Sequence, residues 1–145
     1  MTITNYQEFY SLLFGGLVEV HGPLDSETVT SIVGFSVGGP VSLAKLESQN
    51  IFATCELAAY PEQVVSSEGL NYELLSIGHF ELDWCRSVFT ALGALGMEAE
   101  LGDGHTIDIS GIIEKGDRNT EVLLRLFSQM SYGGKNYGVY QVLPG

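Results

Sequence analysis

The chain has little positive charge. Six Lys and Arg stand against eighteen Asp and Glu in 145 residues, for a formal net charge of −12. Residues 1–108 hold fifteen of the acids with only Lys45 and Arg86, whereas residues 109–145 hold three acids and four basic residues. Such a field repels nucleic acid and anionic membranes, and it attracts cationic partners at a rate that falls with salt. Composition alone fits a role in solubility equally well.

Cysteines and long apolar runs are also scarce. Cys55 and Cys85 lie thirty residues apart in apolar segments without CxxC spacing, so we expect free buried thiols rather than a disulfide. No apolar stretch approaches the roughly 20 residues of a membrane span. Residues 1–19 lack the basic start of a secretory signal and carry Glu8 in their apolar part, so we expect a cytoplasmic protein.

The pattern of elements predicts one α+β domain over residues 1–145. Helical spacing of apolar residues predicts an N-terminal helix over 5–14 and a central amphipathic helix from Asp83, as its N-cap, to Leu95. Strands are predicted at 17–21, 29–37, 51–60, 71–77, 106–109 and 137–143. Residues 120–130 fit a strand or a short helix. The connections between successive strands are short, which favours a mixed or largely antiparallel sheet.

The predicted core lies between the central helix and two strands. We expect Trp84, Val88, Phe89 and Leu92 to pack against the inner faces of strands 51–60 and 71–77. In the strand over 51–60 the odd-numbered positions, from Ile51 to Ala59, are uniformly apolar and are expected to point inward.

Catalytic and metal motifs are incomplete. The histidines, His21, His79 and His105, have no second ligand at metal-binding spacing, so no metal is expected. Residues 34–38 match the Gly-x-Ser-x-Gly frame around Ser36, but the helix that a nucleophilic serine requires is not predicted to follow. Residues 102–106 predict a turn and not a dinucleotide-binding loop. We therefore expect no enzyme and no cofactor.

The densest uncompensated acidic region follows the central helix. No Lys or Arg lies between Arg86 and Lys115, and this interval contains Glu98, Glu100, Asp103 and Asp108. We predict that these four residues form the surface that binds a cationic protein partner. Glu98 and Glu100 alternate on a segment predicted to be extended. Their carboxylates could therefore face one side and act as an acid–base pair, or they could form a solvated edge.

Short motifs between residues 50 and 95 resemble the suppressor-of-fused domain family. The resemblance rests on a strand with Thr54, a polar loop, an aromatic–Glu–Leu strand at Tyr72-Glu73-Leu74, and a helix opened by an acid and Trp84. The matching segments are residues 52–58, 61–63, 66–69, 72–75 and 84–88. It implies an α+β domain that binds protein and does no chemistry, with Glu73 and the helix as scaffold. Bacterial stand-alone members resemble immunity proteins that neutralise toxins, many of them basic nucleases.

Two functions therefore remain open from the sequence. One is a protein-binding domain, an immunity protein with a basic toxin as its partner. The other is a small hydrolase or ligand-binding domain that uses Ser36 or the Glu98/Glu100 pair.

Overall fold

The secondary structure comprises two α-helices, seven strands and one short 3-10 helix among the described residues. A computed structural model describes residues 6–14, 24–32, 41–46, 51–55, 57–59, 62–78, 80–111 and 120–145. The elements in chain order are α1 (Tyr6–Leu13), β1 (Leu24–Ile32), β2 (Val41–Leu46), β3 (Ile51–Cys55), the 3-10 helix (Leu57–Ala59), β4 (Asn71–Ile77), α2 (Leu82–Gly96), β5 (Thr106–Asp108), β6 (Glu121–Tyr132) and β7 (Lys135–Pro144).

The seven described strands form one mixed sheet, in the order β1-β2-β3-β4-β7-β6-β5. Neighbouring strands are antiparallel except β4 and β7, which are parallel. A parallel pair requires a long crossover, and the chain between β4 and β7 contains α2. The predicted α+β class with a mixed sheet and two flanking helices is confirmed.

The centre of the sheet is covered on both faces. In β4, Leu74 and Leu75 point to opposite faces and both are fully buried. In β3, Phe52 belongs to the cluster that packs with α2, whereas Ile51 belongs to the cluster that packs with α1. The odd-numbered positions Ile51 and Ala53 point inward as predicted, but the even-numbered Phe52 and Thr54 are buried as well. Strands between two covering layers are apolar on both faces.

The helix α2 covers one face of the sheet, and α1 covers part of the other. The buried residues of α2 that pack into the first cluster are Cys85, Val88, Phe89 and Leu92. From α1 and the residue after it, Phe9, Leu13 and Phe14 pack into the second cluster. The ring of Phe9 meets the ring of Tyr137 edge-on, with centroids 4.8 Å apart.

The central helix includes the predicted range, but its start differs. Glu81 occupies the N-cap position in an extended conformation without a side-chain capping bond. Asp83 lies in the first turn, where its carboxylate interacts favourably with the helix dipole. Trp84 is only half-buried and stacks on Phe80, with ring centroids 3.5 Å apart. The indole packs against the cluster beneath α2 as predicted, with its Nε1 buried, and remains partly exposed.

The remaining strand predictions have mixed outcomes. The strand over 71–77 is confirmed, β5 and β7 differ from their predictions by a few residues, and residues 120–130 belong to strand β6. A two-residue turn, Gly133-Gly134, joins β6 to β7, and both glycines have positive φ, as such hairpins require. The strand predicted over 51–60 ends at Cys55, and β2 was not predicted. Residues 17–21 and 33–37 lie outside the described residues. No described helix is long and apolar enough to cross a membrane.

Truncation of two aromatic residues on α2 tests this placement. Phe89 is fully buried, so Phe89→Ala should lower the free energy of unfolding by about 3–5 kcal/mol. Trp84→Ala should cost less, because part of the indole is already exposed to water. Urea denaturation of both variants checks the order. A larger loss for Trp84→Ala than for Phe89→Ala would contradict the described orientation of α2.

Candidate functional site

The four predicted partner-binding residues lie between the end of α2 and the edge strand β5. Glu98 and Glu100 follow the C-terminus of α2, Asp103 lies in the next turn, and Asp108 is the last residue of β5. All four side chains are exposed, and we call them the acidic rim. Residues 97–99 form a turn and not an extended segment, so the extended geometry assumed for a Glu98/Glu100 acid–base pair is not present.

Asp103 has a structural role that its charge did not indicate. Its Oδ1 accepts a hydrogen bond of 2.8 Å from the backbone N–H of Leu126 in β6. The next residue, Gly104, donates its N–H to the carbonyl of Leu124, and Leu124 donates back to the carbonyl of His105. The turn therefore continues the pairing along β6 beyond the short strand β5. Replacing Asp103 would disturb this edge as well as the surface charge.

The acidic rim has a cation nearby in space. An Arg125 guanidinium nitrogen on β6 lies 4.0 Å from the position that a Cβ on Gly104 would occupy. The turn that contains Asp103 therefore has a positive charge close by in space, although no basic residue lies between Arg86 and Lys115 in the sequence.

Asp108 faces a second carboxylate across the sheet edge. The side chain and backbone N–H of Ser110 both hydrogen-bond to Asp108, and these bonds lower the pKa of its carboxyl. Asp108 therefore stays ionised at neutral pH. Its direct cross-strand neighbour is Glu121, which is also exposed. The sequence did not identify Glu121 as a site residue because it lies thirteen positions further along the chain.

Behind the rim, a hydrogen-bond cluster joins loop 62–70 to β7. The Tyr140 hydroxyl lies 2.6 Å from Glu68 Oε1 and 2.7 Å from Ser66 Oγ. Its single proton goes to the carboxylate, and the serine hydroxyl supplies the second bond. Burial, and then the bond to Glu68, raise the pKa of Tyr140 well above its usual value. Tyr140 is therefore a neutral donor over the physiological pH range.

Glu68 also connects this cluster to the acidic rim. Its Oε1 accepts a 2.8 Å hydrogen bond from the backbone N–H of Asp103. The two loops approach closely at Gly102, where a Cβ would lie 2.7 Å from the side chain of Ser67. Only glycine fits at that position without displacing Ser67. The Glu68 carboxylate, for which no sequence pattern predicted a role, therefore fixes the backbone of the acidic rim at Asp103.

Glu73 is fully buried, and its hydrogen bonds give it the scaffold role that we expected from the sequence. Its Oε1 accepts bonds from the Thr54 hydroxyl at 2.7 Å and the N–H of Leu57 at 3.2 Å. Its Oε2 accepts a bond of 2.9 Å from the N–H of Ala58. The side chain thus binds the free N–H groups at the start of the 3-10 helix, which are donors that such a helix cannot satisfy itself.

The described thiol and histidine give no sign of a catalytic or metal centre. Burial raises the pKa of the free Cys85 thiol to about 12, so it is protonated at neutral pH. Within the described residues no group of three or more His, Cys, Asp or Glu side chains could hold a metal ion. Ser36, His21 and His79 lie outside the described residues, as does the side chain of Cys55.

Comparisons of the chain with protein-family models, with curated proteins and with solved structures gave no match. The resemblance to the suppressor-of-fused family therefore stays a prediction. Function is to be inferred from the charge, exposure and hydrogen bonds of the described residues.

Two tyrosines offer a matched test of the cluster behind the rim. Tyr72 and Tyr140 meet edge-on, with ring centroids 5.2 Å apart. The Tyr72 hydroxyl is buried against Gly96 without a hydrogen-bond partner, whereas the Tyr140 hydroxyl bonds to Glu68 and Ser66. Tyr140→Phe should lower the free energy of unfolding by about 1–2 kcal/mol, and Tyr72→Phe should leave it unchanged or raise it. Chemical denaturation measures both, and an equal loss in the two variants would contradict this assignment.

Proposed function

We propose that the protein is a cytoplasmic protein-binding module without catalytic activity. It is an immunity protein of the bacterial suppressor-of-fused type, and it neutralises a basic toxin by binding it. The observation that carries the proposal is the exposure of all four acidic-rim residues, Glu98, Glu100, Asp103 and Asp108, on a chain of net charge −12.

Electrostatics supports a basic partner. Complementary charge accelerates the encounter of two proteins and suppresses binding to partners of the same sign. At physiological ionic strength the Debye length is about 8 Å, so exposed carboxylates act on a partner mainly at close approach. A rim that is acidic and held in place by Glu68 and β6 presents these charges without a large ordering cost.

The buried polar side chains also support a scaffold that presents a surface. Glu73 binds backbone N–H groups of the 3-10 helix, and Gln63 bonds both to the N–H and to the carbonyl of Tyr72. These side chains form hydrogen bonds with backbone N–H and C=O groups where strands and loops meet, which is a common role of buried polar residues.

Growth protection tests the proposed function directly. The basic protein encoded by the neighbouring reading frame should arrest growth when expressed alone, and co-expression of this chain should restore growth. A purified complex of the two should form, and its association rate should fall as salt is added. Continued arrest together with no complex would contradict the immunity role.

A charge-reversal variant tests the part played by the rim. Glu98→Lys combined with Glu100→Lys should slow association with that partner about tenfold at low salt and reduce the salt dependence. Stability should not fall, because Glu98 follows the C-terminus of α2, where positive charge is favourable. Asp103 is left intact because it accepts the Leu126 N–H.

The control carries the same change in charge at the other end of α2. Glu81→Lys combined with Asp83→Lys places the reversal roughly 20 Å away along the 15-residue helix. Stopped-flow association of both variants across a salt series separates a local effect from one of net charge. Equal slowing of association in the two variants would show that net charge, and not the acidic rim, sets the association rate.

A further inference from the structure

Part of the sheet face that carries α1 lies outside both hydrophobic clusters of the described residues. With eight residues, α1 spans only about 12 Å, and Tyr137 and Val139 of β7 are buried beneath it. Further along the same face of β7, Leu143 is only partly buried. Its direct neighbour on β6 is Leu123, which is also partly buried. Two leucines thus lie side by side on this face, and neither belongs to a hydrophobic cluster of the described residues.

Charged residues flank these leucines on the same face. The register places Thr106 beside Leu123, and Asp108 beside Glu121. Arg125 follows Leu123 on this face of β6. The two carboxylates, the guanidinium and Thr106 are all exposed. We call this surface the open face; its residues are Thr106, Asp108, Glu121, Leu123, Arg125 and Leu143.

The strands beneath the open face are held firmly from the other side. Val122 and Leu124 alternate with the open-face residues of β6, and both are fully buried in the cluster that packs with α2. On β7, Tyr140 and Val142 belong to the same cluster. The backbone that carries the open face is therefore fixed and needs little ordering when a partner binds.

The two carboxylates of the open face belong to residues directly opposite each other on neighbouring strands. Direct cross-strand neighbours have Cβ atoms about 5 Å apart, and like charges in that position are destabilising. The bonds from Ser110 favour the ionised form of Asp108. A cation placed between Asp108 and Glu121 would be attracted by both side chains.

We propose that the open face is the docking surface for the basic partner. A lysine or arginine of that partner lies between Asp108 and Glu121, and an adjacent apolar side chain covers Leu123 and Leu143. This inference rests on the proposed function and locates the contact on the sheet face next to the rim residue Asp108. A second copy of this chain is disfavoured, because it brings a net charge of −12 of the same sign.

Nuclear magnetic resonance of the labelled protein with a defined cationic probe tests the location. The probe is a short capped peptide that alternates lysine with leucine, and its control alternates lysine with glycine. The leucine peptide should shift the amide resonances of residues 106–108 and 121–125 most. It should also bind about fivefold more tightly than the glycine peptide, because only it covers the leucines. Shifts spread evenly over the acidic residues, or equal affinity of the two peptides, would overturn the proposal.

Neutral isosteres test the carboxylate pair. Asp108→Asn combined with Glu121→Gln keeps the acceptor oxygen that Ser110 uses and removes both charges. The dissociation constant of the leucine peptide should rise about fivefold, because the two charges that attract its lysines are gone. The matched control, Glu81→Gln with Asp83→Asn, removes two charges at the start of α2 and should leave the constant within about twofold. A similar loss of affinity in both variants would overturn the proposal.

The outcome is distinguishable from that of the growth-protection experiment. If protection occurs and the Asp108/Glu121 variant still binds the toxin with unchanged affinity, the open face is not the docking surface and the immunity role remains. If protection fails while the peptide binds at the open face with the predicted pattern, the immunity role is wrong and the cation-binding surface remains.

Discussion

The structure depends on how the chain accommodates one buried carboxylate. Strand β3 pairs with β4 only from Ile51 to Ala53. Beyond Ala53, side chains form hydrogen bonds with the backbone of β4 and of the 3-10 helix. Thr54 accepts the N–H of Leu74 and donates to Glu73, whose carboxylate also binds the start of the 3-10 helix. Burial of a carboxyl group is costly unless hydrogen bonds replace its water, and the bonds from Thr54, Leu57 and Ala58 contribute to this.

The arrangement continues outward from Glu73 to the surface. After the 3-10 helix, the side chain of Gln63 forms hydrogen bonds with both the carbonyl and the N–H of Tyr72 in β4. Loop 62–70 then brings Glu68 to the N–H of Asp103, and Asp103 bonds to β6. The positions of the surface acids therefore follow from polar contacts made in the interior. Some carboxylates of this chain fix the backbone, and others, such as Glu98 and Glu100, are exposed at the surface.

The sequence predicted those elements whose signal is local. Strand β4 and helix α2 were found because their turn residues and apolar spacing lie within the segments themselves. The two-sided burial of β3 was missed because alternation cannot show that a second layer covers the other face. Glu121 and Arg125 approach the acidic rim only through strand pairing, so a search for charges along residues 86–115 could not include them. The bond from Asp103 to Leu126 was hidden for the same reason.

The free energy of unfolding of Glu73→Gln tests the central role of this carboxylate most directly. The variant keeps the size of the side chain but loses the charge, and it turns one acceptor into a donor that faces backbone N–H groups. We predict a loss of about 2–4 kcal/mol, with faster amide exchange at Leu57 and Ala58, whereas Glu62→Gln at an exposed turn should change little. Stability of Glu73→Gln within about 0.5 kcal/mol of the unmodified chain would contradict the account.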